Sequence, residues 1–308
     1  MKKLNTLVFI VAMLTLTYCS EEQDDQNSDL GQAKDVTELK GKPEGTGGGK
    51  PGGGGGGDNP QPTGDWNLVF EDEFNTDLSE WNVWEGGAFN DELQLYTASQ
   101  LSLDNGILSI ATQREAVTGP TNIYDPTVKE FEYLSGRIES KAIYGPSATE
   151  GERQYRFEAR MKLPEGHGMW PAFWTYGDPW PTQGEIDILE ARGGDPTVYQ
   201  SNIFYGPRAN RSVTRNTEVH YSTGVDLTAD FHTYGMVWAS NMVEIYFDGQ
   251  LMHTYEANRE NQVANLFGKK EKIALNTAVG GLFFQDRNSA NYVDSALMEV
   301  DWVRVYSR

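Results

Sequence analysis

Glu185-Ile186-Asp187-Ile188-Leu189-Glu190 alternates acidic and branched aliphatic residues at period two, the pattern of a half-buried β-strand. Regular alternation puts Glu185, Asp187 and Leu189 on one face and Ile186, Ile188 and Glu190 on the other. Such a strand would bury Glu190 beside two isoleucines at considerable cost. A β-bulge between Asp187 and Glu190 removes the conflict. One extra residue reverses the parity, so the three carboxylates share a face while Ile186 and Ile188 enter the core.

Three crowded acids repel, and each raises its neighbours' pKa. That weakens a sheet, but it lets an acid and a base coexist. Retaining glycosidases need such a pair, with carboxyl groups about 5–5.5 Å apart. Glu185 and Glu190 lie two same-face steps apart once the bulge is counted, so their side chains must lean together with Asp187 between them. Taken alone, the run also fits an exposed strand whose charges face water.

Outward from this run, short β-type segments alternate with turn signals. They include Trp66–Phe70, Gly106–Ala111 behind Asp104-Asn105-Gly106, Gly136–Lys141, Arg156–Met161, Met236–Trp238, Val243–Phe247 before Asp248-Gly249, and Val300–Tyr306. This spacing predicts an all-β antiparallel sandwich or jelly roll. One short helix is expected over Asn258–Leu266. The chain has 308 residues and a formal net charge of −20, which disfavours nucleic acid and strongly anionic polymers and suits a neutral substrate.

The amino-terminal fifth is compositionally separate. Lys2 and Lys3 precede an apolar run, Leu7–Leu14, too short to span a bilayer comfortably. Leu16-Thr17-Tyr18-Cys19 resembles a bacterial lipobox, and Cys19 is the only cysteine of the chain. Tyr18 departs from the small residue usual there. The expectation is a lipoprotein signal peptide over 1–18, lipidation at Cys19 and an acidic, Gly-rich linker over 19–63. A catalytic domain over 64–308 follows. The implied place is the cell surface, anchored to the outer membrane of a Gram-negative bacterium; the alternative is a secreted protein. Membrane contact would be through the lipid alone, and a monomer is expected.

Glu-Ile-Asp-Ile-Leu-Glu resembles the Glu-x-Asp-x-x-Glu signature of glycoside hydrolase family 16 in its bulged, laminarinase-like form. Further resemblance lies in Phe70-Glu71-Asp72-Glu73-Phe74, Glu92-Leu93-Gln94-Leu95-Tyr96, Ser135-Gly136-Arg137-Ile138 and Phe157-Glu158-Ala159-Arg160. It continues in Gly168–Trp174, Trp180-Pro181, Phe231-His232-Thr233-Tyr234, Leu275-Asn276, Val279-Gly280-Gly281 and Val300–Tyr306. The resemblance implies a concanavalin-like β-jelly roll of two curved antiparallel sheets with a concave substrate cleft. It implies an endo-acting retaining hydrolase of β-1,3- or mixed-linkage β-1,3-1,4-glucan, with Glu185 as nucleophile, Glu190 as acid/base and Asp187 supporting the nucleophile.

By the same resemblance Asn90, Arg137 and Asn276 hydrogen-bond sugar hydroxyls. Flat aromatic rings suit the apolar faces of sugars. Trp170, Trp174 and Trp180 are the cleft candidates, with Trp170 and Trp180 favoured to face sugar, while Trp81, Trp238 and Trp302 are expected to pack in the core. A structural calcium would use Glu73, the carbonyl of Gly106 and Asp301, since hard oxygen ligands suit that ion; no catalytic cofactor is implied. His167, His220, His232 and His253 lack metal spacing, and His232 is expected to be structural.

One position departs from the family. Phe204-Tyr205-Gly206-Pro207 has Phe204 where a His usually stands, which leaves the exact linkage open. Two alternatives remain. One is a galactan hydrolase of the same family, with Arg208, Arg211 and Arg215 as a basic rim. The other is a non-catalytic glycan-binding protein on the same fold.

Overall fold

The computed structural model describes residues 64–148, 154–284 and 288–308. The expected signal peptide, Cys19 and linker lie outside them.

The strands, in chain order, are β1 (Asn67–Asp72), β2 (Trp81–Val83), β3 (Gln94–Tyr96), β4 (Leu101–Asp104), β5 (Ile107–Asn122) and β6 (Asp125–Ser135). Then come β7 (Arg137–Ser140), β8 (Tyr155–Lys162), β9 (Met169–Tyr176), β10 (Glu185–Ala191), β11 (Val198–Phe204) and β12 (Val219–Ser222). The last are β13 (His232–Trp238), β14 (Met242–Phe247), β15 (Gln250–Glu256), β16 (Lys272–Val279) and β17 (Ser295–Ser307). They form two sheets. One has the order β15-β14-β13-β8-β17-β5-β6-β3, with β1 also on β17 and β4 on β5; the other runs β12-β11-β10-β9-β16-β7-β2. Pairing is antiparallel except between β3 and β6.

The expected sandwich is thus present, and its core lies between the sheets. Phe173, Ile186, Ile188, Leu189, Ile273 and Leu275 from the seven-stranded sheet join Phe157, Met161, Trp238, Val300, Val303 and Val305 from the other in one buried cluster. Trp81, Trp238 and Trp302 are buried, as the sequence suggests. The turns at Asn105-Gly106 and Asp248-Gly249 each hold both central residues at positive φ. That is the geometry two-residue hairpins need, and it explains the Asn-Gly and Asp-Gly pairs.

The helix expected over Asn258–Leu266 is reduced to a single 3-10 turn at Val263–Asn265. Asn258 Oδ1 accepts from the Glu260 and Asn261 amides, and Asn261 Oδ1 accepts from the Asn258 and Val263 amides. These side chains take the amides that a helix would have used. His232 is structural, pairing with Asp248 at 2.7 Å and stacking on Phe247.

Candidate active site

The bulge sits where the acidic run requires it. Against β11, Asp187 pairs with Asn202 and Glu190 with Gln200, so three steps on β10 match two on its partner. Against β9 the register shifts between Asp187 and Leu189. Ile186, Ile188 and Leu189 are all buried in the core. The consecutive inward pair Ile188-Leu189 is the mark of the extra residue. Leu189, which regular alternation would set beside the acids, has turned inward, and Glu185, Asp187 and Glu190 share the outer face.

Burial pushes all three carboxyls up. Glu185 is raised first by desolvation and then by the charge of Glu190. Asp187 is held well above the carboxylate range by desolvation, then by Glu190 and Glu185. Desolvation also raises Glu190, but hydrogen bonds from Trp170 and Gln200 oppose it. The trio therefore retains protons near neutrality, the condition for one acid to donate while another stays charged.

Glu190 is the most firmly held. Trp170 Nε1 donates to its Oε1 at 3.0 Å and Gln200 Nε2 to its Oε2 at 3.3 Å. Arg192 donates to Gln200 Oε1 at 3.1 Å and to the Phe283 carbonyl at 2.9 Å. Its guanidinium lies 3.9 Å from the Phe283 ring centre, and that ring stacks on Trp170 at 4.2 Å. The ring of contacts closes on itself, fixing both oxygens of the acid. A cavity of about 160 Å³ lined by Glu190, Arg192, Gln200 and His220 opens beside it.

Glu185 faces Tyr176 on β9 and Phe204 on β11. Phe204, the departure from the family pattern, is thus the nucleophile candidate's cross-strand neighbour, and its ring lies 6.3 Å from that of Trp180. The buried Trp180 Nε1 has no partner at normal hydrogen-bond geometry, yet it lies close enough to Glu185 to favour the charged form. Asn210 N donates to the Trp180 carbonyl at 2.8 Å, so the exposed loop of Arg208 and Arg211 adjoins this tryptophan.

Of the residues expected to bind sugar hydroxyls, Arg137 and Asn276 line the same sheet, with their polar groups already engaged. Arg137 is only 5% exposed, bonds Glu139 at 2.6 and 3.0 Å, and lies between the Trp84 and Trp174 rings. Asn276 accepts from Trp174 Nε1 at 2.8 Å and donates to Tyr96 Oη at 3.1 Å. Both therefore orient the aromatic floor. Asn90 is exposed at positive φ, beside Glu92, whose carboxyl burial raises to about 7. Trp170, Trp174 and Trp180 are all partly exposed. Sequence reading did not find Trp84, Gln200, Arg192 or Phe283.

Two residues of the expected calcium set carry ion-paired carboxylates. Gly106 lies against the Glu73 carbonyl, as expected. The Asp301 carboxylate is paired with Arg160, however, and the Glu73 carboxylate with Arg304. Each of these ion pairs engages one oxygen of its carboxylate. Among the described residues no group of three or more His, Cys, Asp or Glu side chains could hold a metal ion.

Residues 88–304 match the sequence pattern of glycosyl hydrolases family 16. The chain belongs to that family. A glucan endo-1,3-beta-glucosidase of Cryptopygus antarcticus is 34% identical, over 72% of this chain and 83% of that protein. Glucan endo-1,3-beta-glucosidase A1 of Niallia circulans is 31% identical over 78% of this chain, which spans only 38% of that longer relative. The solved endo-beta-1,3-glucanase of Pyrococcus furiosus superposes with a TM-score of 0.64 at 31% identity, covering 79% of this chain and 94% of that one. Family membership makes the chain a glycoside hydrolase.

Proposed function

We propose that the chain is an endo-acting, retaining hydrolase of β-glucan that cuts β-1,3- or mixed-linkage β-1,3-1,4-chains. The observation that carries this reading is the bulge at Asp187–Glu190, which sets three carboxyls on one open face with Glu190 held by Trp170 and Gln200. The names of the relatives support the substrate class.

In the first step Glu185 attacks the anomeric carbon and forms the glycosyl–enzyme ester, while Glu190 gives its proton to the departing glycosidic oxygen. In the second, Glu190 takes a proton from water, whose oxygen attacks the same carbon and releases Glu185. Asp187, protonated between them, limits the negative charge that builds on the trio. A binding module gains nothing from burying three acids together, which argues against the non-catalytic alternative.

Ahead of the catalytic domain we read residues 1–18 as a lipoprotein signal and Cys19 as the lipidated residue. The glycine-rich linker would let the domain reach a polymer from a cell surface. Labelling with a radioactive fatty acid in the wild type and in Cys19→Ser tests this; equal label in both refutes it.

The test of the activity is Glu185→Gln. Hydrolysis of laminarin and lichenan should fall on the order of 10³-fold or more, with polysaccharide retardation in a native gel retained. Unchanged turnover would sink the assignment. NMR of the first-formed product should show the β-anomer, and an α-anomer would refute retention.

A further inference from the structure

The β5–β6 hairpin runs far beyond the strands it serves. β5 continues to Asn122 and β6 begins at Asp125, whereas β3 covers only Tyr133–Ser135 of β6. The tip is firmly built. Asn122 Oδ1 accepts from the Tyr124 and Asp125 amides at 2.8 and 3.0 Å, and Asp125 Oδ1 accepts from Thr127 N at 3.0 Å. Thr121 Oγ1 donates to the Thr127 carbonyl at 2.7 Å. This rigid tip holds Tyr124 with 66% of its surface exposed. Most of that ring's surface is open to solvent and to a ligand.

The hairpin is also drawn down onto the rim of the cleft. Gly87 N donates to the Pro120 carbonyl at 2.9 Å. A Cβ at Gly87 would collide with the Thr121 carbonyl and the Phe131 ring, so only glycine permits the approach. Tyr124 thereby meets Trp84 edge-to-face at 6.5 Å, and Trp84 carries Arg137 on its ring at 4.1 Å. The Tyr124 phenol is raised by partial burial and then by the charge of Asp178, with Lys272 lowering it. Trp84 directly follows β2, the edge strand four places from β10. At about 4.8 Å per strand, that is about 19 Å from the catalytic strand, a span of several sugar residues.

We propose that Tyr124 forms a distal sugar-stacking subsite at the β2 end of the cleft, where it takes a glucose residue of the glucan chain and favours long substrates over short ones. The inference rests on the β-glucan reading. A fixed ring offers its face to the C–H surface of a pyranose with little further ordering cost.

The experiment compares the wild type, Tyr124→Ala and Tyr124→Phe on a graded series of β-1,3-gluco-oligosaccharides. The readout is the ratio of kcat/KM for the longest to that for the shortest. That ratio should fall roughly 3- to 10-fold in Tyr124→Ala and recover in Tyr124→Phe, which keeps the ring and loses only the hydroxyl. An Ala variant with the wild-type ratio overturns the proposal, as does a Phe variant that behaves like Ala. If the wild type cleaves no member of this series and no mixed-linkage β-1,3-1,4-gluco-oligosaccharide, the glucan reading itself fails and the subsite falls with it. That outcome is distinct from cleavage with an unaltered ratio.

Discussion

The indole N–H of Trp170 donates to Glu190 across 3.0 Å, tying an aromatic of the cleft floor to the proposed acid/base. This bond favours the ionised carboxyl, against the desolvation that raises it to about 7. Trp170→Phe removes the donor and keeps a ring to stack on Phe283. The Glu190 pKa should then rise by about 1 unit. Because Glu190 must be protonated to expel the leaving group, the alkaline limb of the kcat/KM–pH profile should move upward. A limb that stays in place would show that the bond does not set the acidity.

Phe204 stands opposite Glu185 in the β10–β11 register, so placing there the His expected from the resemblance to the laminarinase-like branch tests what Phe204 does. An imidazolium beside Glu185 stabilises its charged form. In Phe204→His the acid limb of kcat/KM should shift to lower pH, since Glu185 stays ionised further into acid. The ratio of laminarin to lichenan turnover should also change, by a factor of about 3 or more if the contact reaches the sugar at the reacting centre. Identical ratios in both proteins would free Phe204 from any part in linkage choice.

Much of this was legible in the sequence, for a local reason. Alternation from Glu185 to Glu190 exposes a parity conflict that only a bulge resolves, and every residue needed to see it lies in one strand. The support of Glu190 is different. Arg192 follows β10, Gln200 lies on β11 and Phe283 sits in the turn after β16, so they meet only once the sheet has formed. Arg137 lies between these cases. It resembles a sugar ligand, yet Glu139 two residues on shares its face at strand period, and the pair could have been expected from that spacing. For Tyr124 the sequence shows only a turn; its place over Trp84 depends on the length of a hairpin and on Gly87.

The buried pair Arg137–Glu139 should carry a large, pH-dependent share of stability. Burial alone would raise Glu139, but Arg137, Tyr176 and Lys272 outweigh it and hold its pKa below the usual range. Glu139→Gln leaves Arg137 buried without a charged partner, at a cost of about 3 kcal/mol. For a domain of this size that is a fall in Tm of roughly 6–12 °C. The stabilisation is complete above the unfolded carboxylate pKa of about 4.3 and is lost as pH falls through the lower folded value. The gap between wild type and variant should therefore close in acid, which thermal melts from neutral to strongly acidic pH would show. A gap that persists at the acid end would mean packing, not charge, is lost.

Glu271 gives the opposite sign. It is fully buried, accepts from Thr175 Oγ1 at 2.5 Å through Oε2 and leaves Oε1 without a partner. Desolvation raises its pKa to about 8, with the charge of Glu185 adding to the shift. Between about pH 4.5 and 8 the folded protein therefore holds a proton that the unfolded chain has released, and stability falls as pH rises through that window. This one group can account for up to about 4 kcal/mol, and Glu185, Asp187, Glu190 and Glu92 act in the same direction. Glu271→Gln keeps the shape and an acceptor for Thr175 but cannot ionise. Its Tm should match the wild type near pH 4.5 and exceed it at pH 8, flattening the slope without abolishing it. Equal slopes in the two proteins would show that Glu271 is ionised in the fold and stabilised by something other than Thr175.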